Sequence, residues 1–295
     1  MSRVQVLLAA VCFGTTGTAQ ALGPDAAAVT VGAVRIAVGA VLLLLVARAV
    51  AGDGTAASAR WPRGPLAVGA LGVAAYQLCF FAAVKDTGVA VGTVVALGSA
   101  PALAGAGGWL LDRRVPDRSW ALATALACAG VATLALAGGG SEVSAPGVAL
   151  AVGAGASYAA FTLASKRLLD AGHGIEPVMA SLFGLGAILL SPVLVFGDLH
   201  WVTSAGGVAM ALWLGAIPTA LAYLLFASGL RHLPANEVAT LTLAEPVTAT
   251  LLGAIVLDER PGAVAIVGIV AILAGLAVLA IPKREERTPP VEVIA

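Results

Sequence analysis

Apolar residues run along this chain in blocks of about twenty, parted by short stretches rich in Gly, Pro, Asp, Arg and Lys. About 20 residues at 1.5 Å rise cross a hydrocarbon layer of about 30 Å, so each block predicts a spanning helix. Ten are predicted, near 4–22, 27–50, 64–84, 88–111, 117–138, 146–167, 175–197, 205–228, 235–257 and 261–281. The longest polar connection is AGDGTAASARWPRG. The tail KREERTPPVEVIA is charged, then proline-containing, and predicts disorder. The first block has one basic residue, an apolar run and an Ala-x-Ala ending at Ala21, which resembles a signal peptide. The next block starts within a few residues and many follow, so the first reads as a retained helix.

Composition agrees. Of 295 residues, 60% are hydrophobic and 11% charged, with mean hydropathy +0.99. A soluble domain carries roughly a quarter charged residues, so this chain has too little polar surface to cover a globule. An all-α polytopic membrane protein is the reading that remains. Net charge is zero, which points away from nucleic acid. Cys12, Cys79 and Cys128 lie in apolar runs without CxxC spacing or a nearby His, and read as small buried hydrophobes.

Charge then orients the chain. With the N-terminus inside, the inner segments hold Arg3; Arg48, Arg60 and Arg63; Arg113, Arg114 and Arg118; Lys166 and Arg167; Arg231; and Lys283, Arg284 and Arg287. The outer loops hold only Lys85 and Arg260. Cytoplasmic loops carry the excess of Lys and Arg, so both termini are expected in the cytoplasm, in a plasma (inner) membrane.

The chain also repeats itself. ALGSAPALAGAGGWLLDRRVPDRSW, from 96, matches LTLAEPVTATLLGAIVLDERPGAVA, from 241, and the next helices match too. Pro101 aligns with Pro246, Pro116 with Pro261 and Gly130 with Gly275, at one constant offset. Five helices per half is odd, so the halves lie in opposite orientation. This predicts an inverted repeat, 1–140 and 146–282, with a cytoplasmic tail at 283–295. Such a plan suits alternating access around a midplane site.

At this point the sequence resembles the drug/metabolite transporter superfamily, EamA type. The likeness covers about 4–282 and is best in the second half: Glu245-Pro246, a Gly/Ala/Leu helix, Glu259, then a helix with Gly275. In the first half Ala100 stands at the place of Glu245 and Arg114 at that of Glu259. The resemblance implies a small-molecule carrier, often an exporter of amino acids or other metabolites. It also implies that spans one, three, four, six, eight and nine line the cavity.

Glu245 is the main candidate for chemistry. An ionisable group at that depth costs from about 3 to more than 10 kcal/mol, so it should face the bundle interior or water. Either it lines the solute path, binding solute or a coupling proton, or it bonds backbone groups freed by Pro246 or pairs with another helix. Pro246 deprives the carbonyl at 242 of its donor, and Thr242 is expected to satisfy it. Pro101, beside Ser99, is expected to kink the fourth span likewise; the bland alternative for both is a packing kink. Arg35 either snorkels to the outer headgroups or turns inward, to pair with Glu245 or attract a carboxylate. Thr15, Tyr76, Gln77, Tyr158, Trp213 and Tyr223 complete the candidate pathway, though membrane hydroxyls often only join helices. Thr16, Thr18, Gln20, Thr93, Ser157, Thr162, Ser165, Thr219, Ser228 and Thr240 belong to the same polar set. Asp258 and Glu259 read as a solvated helix end. His173, His200 and His232 fall in expected loops. Gly88xxxGly92 and the small-residue runs 101–108 and 268–277 signal close packing.

The leading expectation is therefore a secondary carrier of a small polar, amino-acid-like metabolite, directed outward. Partners would be the solute and the lipid bilayer; proton coupling and a homodimer are left open. Alternatives are a cationic-drug (multidrug) efflux carrier or a nucleoside- or sugar-type carrier. Aromatics at 5% weaken a cation cage. No catalytic set, metal set or GxxxxGK[ST] loop appears, so neither an enzyme, a cofactor nor ATP-driven transport is expected.

Overall fold

In the computed structural model, residues 1–51, 61–113, 115–137 and 144–281 are described. The predicted tail, most of the long polar connection and Arg114 lie outside them. The helices are α1 (Ser2–Leu22), α2 (Ala28–Ala51), α3 (Arg63–Gly88), α4 (Val91–Leu111) and α5 (Arg118–Ala137). They continue with α6 (Ala145–Asp170), α7 (Ile175–Leu189), α8 (Ala205–His232), α9 (Ala235–Val256) and α10 (Ala263–Ala280). Nine of these are long and apolar enough to span a membrane among the described residues.

α7 is the exception to the predicted pattern. It has 15 residues, and a second short helix, Ser191–Phe196, follows it. Pro192 stands in the first turn of that second helix, where its missing backbone donor is tolerated.

Local chemistry sets the helix ends. The Ser144 and Ser204 hydroxyls accept the N–H of Gly147 (3.1 Å) and Gly207 (3.0 Å) at the starts of α6 and α8. Asp117 accepts the Trp120 N–H at 2.7 Å at the start of α5. α3 passes into α4 at Gly88, whose φ of 77° favours glycine. The reading of Gly88xxxGly92 as a packing motif is thus half corrected. Gly88 makes the turn, and Gly92 packs, a Cβ there lying 3.1 Å from Val84.

α3 and α4 pack on α6, α2 on α7, α1 on α8 and α9, and α5 on α10. The α5–α10 crossing is close because small residues meet. A Cβ on Gly130 would lie 2.6 Å from the Gly268 carbonyl oxygen, and one on Gly275 would lie 2.6 Å from that of Ala123. Gly130 and Gly275 are equivalent in the repeat alignment, and so are Ala123 and Gly268. The contact therefore maps onto itself when the halves are exchanged, as a two-fold requires.

Both ends of the described chain meet on one face. Arg3 Nη1 donates to the Ala280 carbonyl at 3.3 Å, and Arg3 Nε lies 2.6 Å from Glu237 Oε1. This is called the terminal face below.

Candidate functional site

The two proline-bearing helices differ. α4 keeps helical geometry through Pro101. α9 does not: Ala235–Leu241 is α-helical, Thr242–Ala244 tightens to a 3-10 turn, and a new α-helix runs from Glu245 to Val256. The expectation of two matching kinks is corrected: only α9 carries the break. The expected role of Thr242 is corrected too. Its hydroxyl donates to the Ala239 carbonyl at 2.9 Å, while its own carbonyl takes the Glu245 N–H. The 3-10 turn supplies the missing donor from one residue earlier than Pro246. The hydroxyl repair expected in α9 occurs in α8, where Pro218 leaves the Leu214 carbonyl without its N–H and Thr219 Oγ1 donates to it at 2.8 Å.

Glu245 thus opens the second half of a broken helix, and α1 passes close beside it. A Cβ on Gly14 would sit 2.9 Å from the Glu245 carbonyl oxygen. Arg35 of α2 acts on Glu245 electrostatically. Among the described residues no salt bridge joins them. Arg35 Nε is buried without a hydrogen-bond partner among the described residues. Gln77 of α3, also buried, lies against Gly32, one turn from Arg35.

All three tyrosines gather here. Tyr76 and Tyr223 feel both Arg35 and Glu245, and Tyr158 feels Glu245. Tyr158 donates to Thr242 Oγ1 at 3.2 Å. Rings link them: Tyr76–Tyr158 at 6.2 Å, Tyr158–Phe161 at 6.5 Å, Phe161–Tyr223 at 5.4 Å, Phe183–Tyr223 at 4.4 Å and Phe13–Tyr223 at 5.0 Å. Phe226 and Phe80 extend the network. The chain is poor in aromatics but gathers them at one place, so low content does not mean a bare site. Sequence reasoning missed the phenylalanines. The available signal was the i, i+3 pairing of Tyr158 with Phe161 and of Tyr223 with Phe226, which puts each pair on one helix face.

Other candidates lie elsewhere. Trp213 is half-exposed on α8, and its indole N–H reaches Thr15 Oγ1 at 3.3 Å. Neither makes a hydrogen bond or ring contact with the tyrosines. Ser99 donates to the Ala96 carbonyl at 3.2 Å and sits against Gly155 in the α4–α6 contact. His232 ends α8 rather than lying in the expected loop, while His200 lies in the expected connection, opening a 3-10 turn between Phe196 and Ala205. His173 is in its expected loop, stacked on Trp61 at 4.2 Å.

A cavity of about 1000 Å³ lies at the terminal face, lined by Arg3, Trp109, Trp120, Lys166, Asp170 and Glu237 among others. Its lining reaches Ala104 but neither Glu245 nor Arg35. Glu237 was not singled out from the sequence. A first-turn acid reads as solvated, and nothing local announces a partner 234 residues away. Deeper along α9, Trp120 Nε1 donates to Thr240 Oγ1 at 3.0 Å, and the Thr124 and Thr240 hydroxyls lie 2.8 Å apart. Among the described residues no group of three metal-ligating side chains occurs.

Comparison with known proteins bears on this arrangement. The EamA-like transporter family matches the chain twice, at 3–136 and 145–281. A Bacillus subtilis transporter, YwfM, is 40% identical over 284 residues, 96% of this chain and 95% of its own length. The threonine/homoserine exporter RhtA of Salmonella typhimurium is 35% identical over 138 residues, 45% of each chain. One solved crystal structure superimposes with TM-score 0.82 at 19% identity, over 95% of this chain and 96% of the other, a likeness of fold. Two matches to one family, on two halves packed about a two-fold, account for the repeat: the chain belongs to the EamA-like transporter family of drug/metabolite transporters and is an integral multi-pass membrane transporter.

Proposed function

We propose that this transporter is an alternating-access secondary carrier that moves a small amino-acid-like zwitterion outward across the plasma membrane. One observation carries the reading. Two opposite charges, Arg35 and Glu245, lie within electrostatic reach but with no salt bridge among the described residues, beside three tyrosines. Unpaired charges at this depth are costly. A zwitterion lowers that cost for both at once, its carboxylate on Arg35 and its ammonium on Glu245. The likeness to a threonine/homoserine exporter over one half supports the solute class and the direction. The described cations at helix ends fall mostly on the terminal face, which supports a cytoplasmic position for that face. The repeat boundaries at 1–140 and 146–282 belong to the same reading.

A second reading is a cationic amine or drug. The aromatic network favours it, because rings attract cations. Arg35 opposes it by repelling them.

The test is efflux from proteoliposomes loaded with mixed amino acids, amines and nucleosides, read by mass spectrometry. Wild type is expected to release amino acids. Glu245→Gln and Arg35→Gln, both still folded, are each expected to slow that release at least about tenfold, a loss of about 1.4 kcal/mol. If Arg35→Gln instead speeds amine release and amino acids never move, the cationic reading holds and the zwitterion reading fails.

A further inference from the structure

We propose that Tyr158 is a positioning residue for Glu245, acting through Thr242. It rests on the reading above that Glu245 contacts the solute. Glu245 hangs from a backbone turn, and the turn hangs from one residue. Thr242 opens the 3-10 segment, its carbonyl holds the Glu245 N–H, and its hydroxyl is tied to the Ala239 carbonyl. The only side chain from another helix that bonds this hydroxyl, among the described residues, is Tyr158 of α6. A phenol thereby fixes the start of the turn that aims the carboxylate.

Tyr158 also stands at a boundary. On one side it packs with Leu103, Ala104, Ala159 and Ala239, and Ala104 lines the terminal-face cavity. On the other its ring meets Tyr76, which feels both Arg35 and Glu245.

The repeat supplies a comparison. In α4 the position equivalent to Thr242 is Leu97, and that equivalent to Glu245 is Ala100. The half with no carboxylate to aim has no hydroxyl for a tyrosine to hold, and its helix runs unbroken. Hydroxyl, break and carboxylate occur together.

The experiment compares Tyr158→Phe, Thr242→Val, Thr242→Ser and the Tyr158→Phe/Thr242→Val double variant in the full chain. Hydrogen–deuterium exchange at 242–247 reads the turn without needing a solute. Tyr158→Phe and Thr242→Val are each expected to raise exchange there about 3- to 10-fold, the size of one neutral buried hydrogen bond. The α5–α10 crossing should be unchanged. The double variant is expected to go no further than either single, and Thr242→Ser to stay close to wild type. In proteoliposomes with the released amino acid, the single variants are expected to raise the half-saturating concentration by a similar factor while changing the maximal rate less. Unchanged exchange in Tyr158→Phe, or fully additive single effects, would overturn the proposal. If wild type moves no amino acid, the zwitterion reading fails while exchange still decides whether Tyr158 holds the turn.

Discussion

The α5–α10 crossing and the α4–α9 pair come from the same duplication, yet they have gone different ways. At α5–α10 the halves mirror each other: Gly130 meets Gly268 as Gly275 meets Ala123. At α4–α9 one helix passes unbroken through its proline and carries Ala100. The other breaks at Thr242–Ala244 and carries Glu245. The crossing is scaffold, where each half buries the other's small residues and any change is felt twice. The proline helices are not matched: α9 breaks and carries Glu245, and α4 carries an alanine in its place. Symmetry is kept where the halves bury each other's small residues and lost at the prolines.

The sharpest way to break the comparison is to overfill the crossing. Gly130→Leu and Gly275→Leu should each destabilise by about 3 kcal/mol, since backbone oxygens leave no room for the added atoms. Thermal unfolding in detergent should show equal losses in the two halves. Gly17→Leu, with nothing within 4 Å, should stay within about 0.5 kcal/mol. Unequal losses at Gly130 and Gly275 would mean that the two-fold is only approximate there.

The prolines should give a smaller and opposite contrast. Pro101→Ala restores a donor inside a continuous helix and should stabilise by about 2 kcal/mol, part of the ~3 kcal/mol that proline costs in a helix interior. Pro246 sits in the first turn of a helix, where proline is tolerated. Pro246→Ala should therefore change stability little but slow transport, because the turn that aims Glu245 is free to relax into an α-helix. Equal stabilisation by both substitutions would show that the break in α9 does not depend on its proline.

Smallest is the clasp between halves at the terminal face. Arg3→Gln or Glu237→Gln should cost about 1 kcal/mol, since Arg3 is partly exposed. The pair should be non-additive in a double-mutant cycle and weaker at high salt.

Much of the fold was legible because a membrane restricts the choices. Backbone groups in hydrocarbon must bond within their own segment, so a long apolar block is a helix. Ten blocks with one-sided charge, and prolines and glycines at one offset, then imply a two-fold arrangement of halves. The broken ninth helix was visible in Glu245-Pro246. How it breaks was not, because the choice between hydroxyl repair and a 3-10 turn depends on a donor, the Glu245 N–H, that is free only in the folded backbone. The candidate site was half legible. Arg35, Tyr76, Tyr158, Tyr223 and Thr242 stood out as polar groups in oil. Phe161, Phe183 and Phe226 did not, since a phenylalanine in an oily helix looks like any other apolar residue. Trp213 and Thr15 stood out for the same polar reason but bond each other rather than a tyrosine.

Sequence by itself therefore determined most of the helices and the two-repeat plan, since an apolar block in hydrocarbon must bond within itself and a constant offset marks a repeated unit. The tertiary structure alone decided which charges face one another, which rings share a chamber and which hydroxyl holds which turn. Those depend on helix rotation, and rotation is set by contacts between segments far apart in the chain, such as Gly14 beside Glu245 and Arg3 beside Glu237.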